Sequence, residues 1–347
     1  MRLNPDGPWT DANAPHGDVV LSSRVRLARN IAGFPFVSRT STAQCHEILN
    51  LARQIVVNAN LSDDLIWIDL EQTTEQERQL LVERHLISKN LAENVENRAA
   101  AILDHERLSI MVNEEDHLRM QALGPGLQIE PVFDRINQID DLIESHIDYA
   151  FSSRWGYLTA CPTNVGTGIR LSVMMHLPAL KITGEIERVR RAAKELHLAV
   201  RGYYGEGSES AGDFYQISNQ VTLGRTEADL RQHFRDAIIP QIIEYERQSR
   251  QMLCRRNGVL LDDRAHRALG ILRSARLLGV EEAMKLLSRV RLGVCLERLD
   301  GIDQGVVNQL FLQVQPAHLR LLTDTELADD ELREARANLV RHALGEH

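Results

Sequence analysis

Four clusters in this sequence carry residue types that handle an anion on one side and a cation on the other. The densest is Cys161-Pro162-Thr163-Asn164-Val165-Gly166-Thr167-Gly168-Ile169-Arg170, where a cysteine, a turn and an arginine stand close together. The others are Ser22-Ser23-Arg24-Val25-Arg26 with Arg29, Asn113-Glu114-Glu115-Asp116-His117-Leu118-Arg119, and Arg201-Gly202-Tyr203-Tyr204-Gly205-Glu206-Gly207. Guanidinium meets phosphate with a planar fork of donors that never deprotonates. Phosphoryl transfer asks for positioning and charge neutralisation more than covalent help, so several arginines can build a nucleotide site without a P-loop. Neither a Gly-x-x-x-x-Gly-Lys-Ser/Thr run nor a His-Arg-Asp catalytic loop occurs.

Each of these residues also has a plainer reading. Surface arginines are common, and singly Arg24, Arg26, Arg119, Arg170 and Arg201 read as solvated. Their joint placement near turns and strand ends favours a site. Glu114 and Glu115 read as opening a helix, where carboxylates favour the N-terminus. Glu206 sits in a Gly-rich loop that capping does not explain. Two carboxylates facing one site can bind a guanidinium, align a nitrogen and accept its proton. Cys161 after an apolar run reads first as a buried hydrophobe; as a thiolate it is a further anion for a cationic substrate. His85 and His117 could touch nucleotide or substrate, or be satisfied polar residues.

The elements that must position these groups mix strand and helix. Residues 19–28 and 108–112 read as strands, so Arg24 and Arg26 share one face. Val132, Ile136, Ile139, Ile143 and Ile147 recur at helical spacing. Residues 157–161 read as a short strand, 165–168 as a turn, and 169–176 as a helix ending near Pro178. A helix over 185–198 follows, then strands over 199–201 and 214–223 flanking a Gly/Ser-rich loop. Thr226-Glu227-Ala228-Asp229 caps a long helix that Pro240 should interrupt. Beyond Arg255-Arg256-Asn257-Gly258 the chain reads as successive helices, broken at Gly279, Gly293, Gly301 and Pro316. This divides it into residues 1–255 and 256–347.

The 347 residues, 43% apolar and 26% charged, suffice for a real core. Net charge is −9 with no long basic tract, so nucleic acid is not the expected partner. No signal core and no membrane-length apolar run stand out. Cys45, Cys161, Cys254 and Cys295 lie far apart without Cys-x-x-Cys, which argues against disulfides or a zinc site and makes a cytoplasmic setting the default.

Taken together, these motifs resemble the ATP:guanido phosphotransferase (phosphagen kinase) superfamily, and within it the bacterial protein-arginine kinases. The likeness runs through residues 22–29, Arg84-His85-Leu86-Ile87-Ser88, 113–119, 156–180, 201–210 and 216–224, and more loosely to the C-terminus. Cys-Pro-Thr-Asn-x-Gly-Thr-Gly-x-Arg is specific to the superfamily, and the order of the clusters agrees. The resemblance implies an α+β fold: an antiparallel sheet flanked by helices, of the phosphagen kinase/glutamine synthetase-like kind, then a small all-helical C-terminal domain. It implies that Arg24, Arg26, Arg119, Arg170 and Arg201 hold the ATP phosphates. Ser22, Ser23, Val25, His85, Leu171, Ser172, Val173, Met174, Gly202, Tyr203, Tyr204, Gly205 and Glu206 complete the nucleotide site. Glu115 and Glu206 would handle the guanidinium, with Cys161 as the reactive cysteine. Mg2+ would bridge the phosphates, with no metal site of protein ligands expected.

The likeness further implies protein substrates presenting arginine, a role in marking them for Clp-type proteolysis, an activator protein, and a homodimer through the C-terminal domain. Small-guanidine kinases carry a helical domain ahead of the catalytic one, whereas roughly twenty residues precede Ser22 here, too few for a packed domain. An open site suits an arginine still attached to protein. The alternatives are a kinase for free arginine or another small guanidine, and a phosphoarginine-binding adaptor without catalysis. One departure stands out. The branch carries Arg-Asp-x-x-Arg-Ala near its C-terminus, where this chain reads Leu332-Arg333-Glu334-Ala335-Arg336-Ala337.

Overall fold

In this computed structural model, residues 7, 10–59, 61–203, 211–323 and 327–345 are described. Ten strands and twelve helices follow in chain order: β1 (Val20–Arg29), α1 (Thr42–Asn58), β2 (Ile66–Asp69), α2 (Glu75–Glu83), α3 (Lys89–Glu93), β3 (Ala99–Leu103), β4 (Leu108–Val112), β5 (Leu118–Pro125), α4 (Ile129–Glu144), β6 (Phe151–Ser152), β7 (Gly156–Tyr157), β8 (Ile169–His176), α5 (Pro178–Ile182), α6 (Ile186–Glu195), β9 (Leu198–Arg201), β10 (Phe214–Asn219), α7 (Glu227–Gln232), α8 (Ile239–Ser274), α9 (Val280–Cys295), α10 (Gln304–Gln313), α11 (Pro316–Thr323) and α12 (Asp329–Leu344). Eight strands form one antiparallel sheet in the order β2-β3-β4-β5-β1-β8-β10-β9, and β6 and β7 form a separate hairpin. None of the described helices is long and apolar enough to cross a membrane.

The sheet's two faces follow from alternation. On β1, Val25 and Leu27 point one way and Ser22, Arg24 and Arg26 the other. The apolar face packs on α4, whose Val132, Ile136, Ile139 and Ile143 are buried as their spacing predicts. A second core joins the C-terminal helices to Leu21, Leu123, Met174, Tyr203 and Phe214 of the catalytic side. Thr226 accepts from the Asp229 amide at the start of α7. The helix then widens into a π stretch, His233–Ile238, just before Pro240 in the first turn of α8. Pro240 thus interrupts the run, where its missing N–H is least costly.

Several expectations need correction. Residues 169–176 are not a helix but the strand β8, which pairs with both β1 and β10. Ile169, Leu171, Val173 and Met175 alternate with Arg170, Ser172, Met174 and His176, a period of two. The segment is buried on both faces, so its continuous apolarity hid the alternation. Glu114 and Glu115 do not open a helix; they lie in the turn of the β4–β5 hairpin, where Asn113 adopts φ 57° and its amide donates to the His117 carbonyl. Strand geometry near residues 157–161 is confined to β7, Gly156–Tyr157. Gly293 breaks nothing: it lies inside α9, where a β-carbon would come within 2.9 Å of Ala265 Cβ. The boundary expected between residues 255 and 256 falls inside α8, next to its non-helical residue Asn257.

Candidate active site

Strand register assembles the arginines. Arg26 of β1 lies directly opposite Arg170 of β8 and Gln121 of β5, and Arg24 opposite Ser172 and Leu123. Arg119 pairs with Ala28, and Arg201 with Gln216, itself opposite Met174. Opposed residues in an antiparallel pair share a face. Arg24, Arg26, Arg119, Arg170 and Arg201 therefore project from the same side of the sheet, carried by β5, β1, β8 and β9. Arg24 Nε reaches Ser172 Oγ at 3.5 Å, and Arg170 reaches Ser218 Oγ at 3.5 Å.

Burial and mutual repulsion mark this face as strongly positive. Arg119 bridges Glu114 at 2.6 Å and Glu115 at 2.8 Å. Among the described residues, Arg24 and Arg26 have no carboxylate partner, and Arg26 Nε is buried without a hydrogen bond. Burial lowers the Arg24 pKa to about 10, aided by Arg170, Arg119 and Arg201. Arg26 is likewise lowered, by burial first and then by Arg24 and the other arginines. Guanidinium remains charged at neutral pH all the same, so these shifts register an excess of positive charge that an incoming polyanion relieves.

Arg24, Arg26 and Arg201 line a cavity of about 320 Å³ with Ser22, Ser172, Met174, Tyr203 and Gln216. Its other wall runs from the end of α2 into the start of α3, with Val82, His85, Ile87, Ser88, Lys89 and Asn90. His85 adopts φ 59°, and its ring meets Tyr203 edge-on at 5.2 Å. Burial, with Arg24 and His318 nearby, pushes its pKa down to about 3, so the imidazole is neutral. At the other end, Asn164, Arg26, Arg119, Gly168 and Arg170 surround a smaller space. Asn164 ends the short 3-10 turn Pro162–Asn164 that Cys161 precedes. The Cys161 thiol lies 3.0 Å from Thr163 Oγ1. Asp116 ties this loop to the hairpin, accepting from the Ala160 amide and Asn30 Nδ2, each at 2.7 Å.

The hairpin carboxylates divide their duties. Glu114, 4% exposed, also accepts from Ser88 Oγ at 2.8 Å and from the Glu115 amide. Its pKa is lowered: burial pushes it up, but Arg119 and these donors outweigh burial. Glu114 thus fixes Arg119, while the Glu115 side chain is 41% exposed and open to an acceptor.

Other expected site residues fall elsewhere. The side chains of Ser23, Val25, Leu171 and Val173 point to the opposite face and are fully buried, so they cannot touch a ligand on the arginine face. Ser23 Oγ donates to the Gly126 carbonyl instead. His117 is a structural link: Nδ1 accepts from the Ile31 amide and Nε2 meets the Pro35 carbonyl. Arg29 leaves the cluster for the far side, bridging Asp140 at 2.6 Å with its guanidinium 3.6 Å from the Tyr157 ring centre. Gly168 makes room for it, since a β-carbon there would lie 2.5 Å from the guanidinium. Tyr204, Gly205 and Glu206 lie outside the described residues. Sequence reasoning gave Glu114 only a helix-opening role and missed Lys89, Asn90 and Gln216. Gln216 carried a signal: with Phe214 and Ser218 it follows the strand period of two.

An antiparallel sheet with five arginines on one face defines an ATP:guanido phosphotransferase, and comparisons with known proteins agree. Residues 47–249 match the ATP:guanido phosphotransferase C-terminal catalytic domain, and residues 259–347 the protein-arginine kinase McsB C-terminal domain. The protein-arginine kinase of Halothermothrix orenii is 43% identical over 339 residues, covering 97% of this chain and 96% of that protein. That of Caldanaerobacter subterraneus is 45% identical over 329 residues, covering 94% and 97%. Among solved structures, the duplicated taurocyamine kinase from Schistosoma mansoni with bound transition state analog components aligns with TM-score 0.61 and 28% identity. That match covers 71% of this chain and only 35% of that one. Lombricine kinase aligns with TM-score 0.58 and 27% identity, covering 71% and 72%. The chain belongs to the protein-arginine kinase family of the ATP:guanido phosphotransferases.

Proposed function

We propose that this protein transfers the terminal phosphoryl group of ATP to a guanidinium nitrogen of arginine side chains in proteins. The observation that carries the reading is the arginine face: five guanidinium groups from four strands of one sheet, with a buried Arg26 Nε left without a partner among the described residues. A polyphosphate supplies the missing acceptors. Arg24, Arg26, Arg119, Arg170 and Arg201 hold its oxygens and stabilise charge as the phosphoryl moves. The acceptor nitrogen attacks phosphorus, the bond to the ADP oxygen breaks, and the guanidinium proton passes to a carboxylate. Glu115, half exposed beside Arg119, is the described residue that fits this last role, and the family likeness adds Glu206. Cys161 precedes the Pro162–Asn164 turn, and the family likeness makes it the reactive cysteine.

Mg2+ enters as part of the nucleotide substrate. Among the described residues no group of three or more His, Cys, Asp and Glu could hold a metal alone, and Mg2+ characteristically keeps phosphate oxygens and water as ligands. The family likeness also supports marking of substrates for Clp-type proteolysis, dependence on an activator, pairing of two copies through the C-terminal helices, and a cytoplasmic setting.

The second reading, a kinase for a small free guanidine, is favoured by the structural likeness to taurocyamine and lombricine kinases. Incubation with MgATP and either an unfolded protein or free arginine separates the two. Acid-labile phosphorus on nitrogen, seen by phosphorus NMR on protein only, supports the first; signal on free arginine alone overturns it.

A further inference from the structure

The wall of the nucleotide cavity is anchored in the C-terminal helices. Glu83, 1% exposed at the end of α2, accepts from the backbone amides of Ala317 and His318, each at 3.1 Å, and so caps α11. The same carboxylate receives His318 Nδ1 at 3.1 Å. Arg84, 2% exposed, places one guanidinium nitrogen 3.1 Å from His318 Nε2, while its Nε donates to Glu106 at 2.6 Å. An arginine can only donate, so Nε2 accepts and the proton sits on Nδ1, facing Glu83. His318 is thereby neutral, and burial, the first cause, also lowers its pKa. The next residue along is His85.

His85 holds a left-handed backbone, φ 59°, a region that non-glycine residues adopt uncommonly. Its carbonyl accepts from Gln121 Nε2 at 2.6 Å, which fixes one side of the peptide. The other side continues from Arg84, whose head is locked between Glu106 and α11.

We propose that His318 is a positioning residue for nucleotide binding, acting through Arg84 to hold the His85 wall of the cavity against the arginine face. It touches no substrate. This rests on the nucleotide reading above and goes beyond it: α11, within the segment that matches the McsB C-terminal domain, takes part in shaping the ATP site. Nucleotide occupancy and the docking of α11 on α2 are then linked, each favouring the other.

The test is calorimetric titration of MgADP into the full chain and its His318→Ala, His318→Gln and His318→Asn variants, with steady-state kinetics alongside. Gln carries its amide oxygen to the place of Nε2 and can still accept from Arg84. Asn keeps a donor to Glu83 and loses the contact with Arg84. Loss of that buried, charge-assisted bond weakens MgADP binding about tenfold in His318→Ala and His318→Asn, and His318→Gln recovers most of it. At saturating nucleotide kcat changes far less than the KM for ATP. A purely structural role would lower the melting temperature of all three variants and leave affinity alone, and that result overturns the proposal. So does Asn restoring affinity as well as Gln, a comparison that stands even where the alanine variant does not fold. A wild-type chain that binds no MgADP overturns the nucleotide reading, and this inference with it; a wild type that binds while His318→Asn binds equally well overturns this inference alone.

Discussion

Replacing Arg26 with methionine should make the protein more stable and unable to bind nucleotide. Arg26 is flanked by Arg170 across the strand pair and by Arg24 two residues along β1. Strand geometry puts those positions roughly 5 and 7 Å away at the backbone. With the heads splayed to about 7 Å and an effective dielectric constant near 20, each neighbour costs about 2 kcal/mol, less at high salt. The buried, unpartnered Nε adds roughly 1 kcal/mol or more. Methionine keeps the stem and removes both penalties, so after allowance for lost packing the gain is about 1–3 kcal/mol at low salt. The same change removes two or more charge-assisted hydrogen bonds to phosphate, which weakens nucleotide binding on the order of 10²-fold. Thermal unfolding of both proteins, with and without tripolyphosphate and at two salt concentrations, reads both effects. The wild type gains about 2.7 kcal/mol at tripolyphosphate a hundredfold above its Kd; the variant gains almost nothing. An Arg26→Met protein that is less stable at low salt, or that still responds to tripolyphosphate, would refute the idea that the face stores unneutralised charge for a polyanion.

Three further expectations follow from the same geometry. Glu115→Gln should leave nucleotide affinity near wild type and cut transfer on the order of 10²-fold, whereas Glu114→Gln should loosen Arg119 and appear first in nucleotide affinity; unchanged turnover in Glu115→Gln removes it from the mechanism. His117, His176 and His318 are buried, and burial is the first cause lowering each pKa below 6.5. The unfolded chain takes up these protons near pH 6.5 and the native chain does not. Stability is therefore full above that pH and falls below it, by up to about 4 kcal/mol per pH unit for the three together; urea titrations that stay flat between pH 7.5 and 5.5 would contradict it. Arg336 is 3% exposed and donates to the carbonyls of Val314 at 2.7 Å and Leu278 at 2.8 Å. Arg336→Ala should thus destabilise by about 2–4 kcal/mol, and free phosphoarginine should not activate the wild type; strong activation lost in Arg336→Ala would show a binding site rebuilt around it.

The arginine cluster was legible because its grammar is local. Arg24 and Arg26 alternate on a strand rich in β-branched and apolar residues, and the turn glycines before Arg170 announce a change of direction. What the sequence hid was the partner of that turn. Residues 169–176 lie at the centre of the sheet, apolar neighbours cover them on both sides, and such a run reads equally well as helix or strand. Only pairing with β1 on one side and β10 on the other resolves the ambiguity, and pairing is a long-range fact. The same limit explains the excess of residues assigned to the nucleotide. A contiguous motif such as Ser22-Ser23-Arg24-Val25-Arg26 names a stretch, whereas a strand delivers only every second residue to a face, so Ser23 and Val25 belong to the core.

The link between the nucleotide wall and α11 has no local signature at all. Glu83 and His318 are 235 positions apart, and each alone reads as an ordinary charged or polar residue on a helix end. Their meaning comes from burial. A carboxylate at 1% exposure must be paid for with donors, and the described donors at Glu83 come from the α11 N-terminus and the His318 ring. The arginine beside it must find acceptors too, and finds Glu106 and the remaining nitrogen of the same ring. Polar groups inside a protein constrain one another's direction as well as their distance. A donor-only arginine sets the histidine tautomer, the tautomer sets what Glu83 receives, and the pair sets where the peptide before His85 can lie. An arrangement so directional tolerates few substitutes, which is why exchanging one amide for its shorter homologue at position 318 is a sharper probe of the cavity than any truncation of its lining.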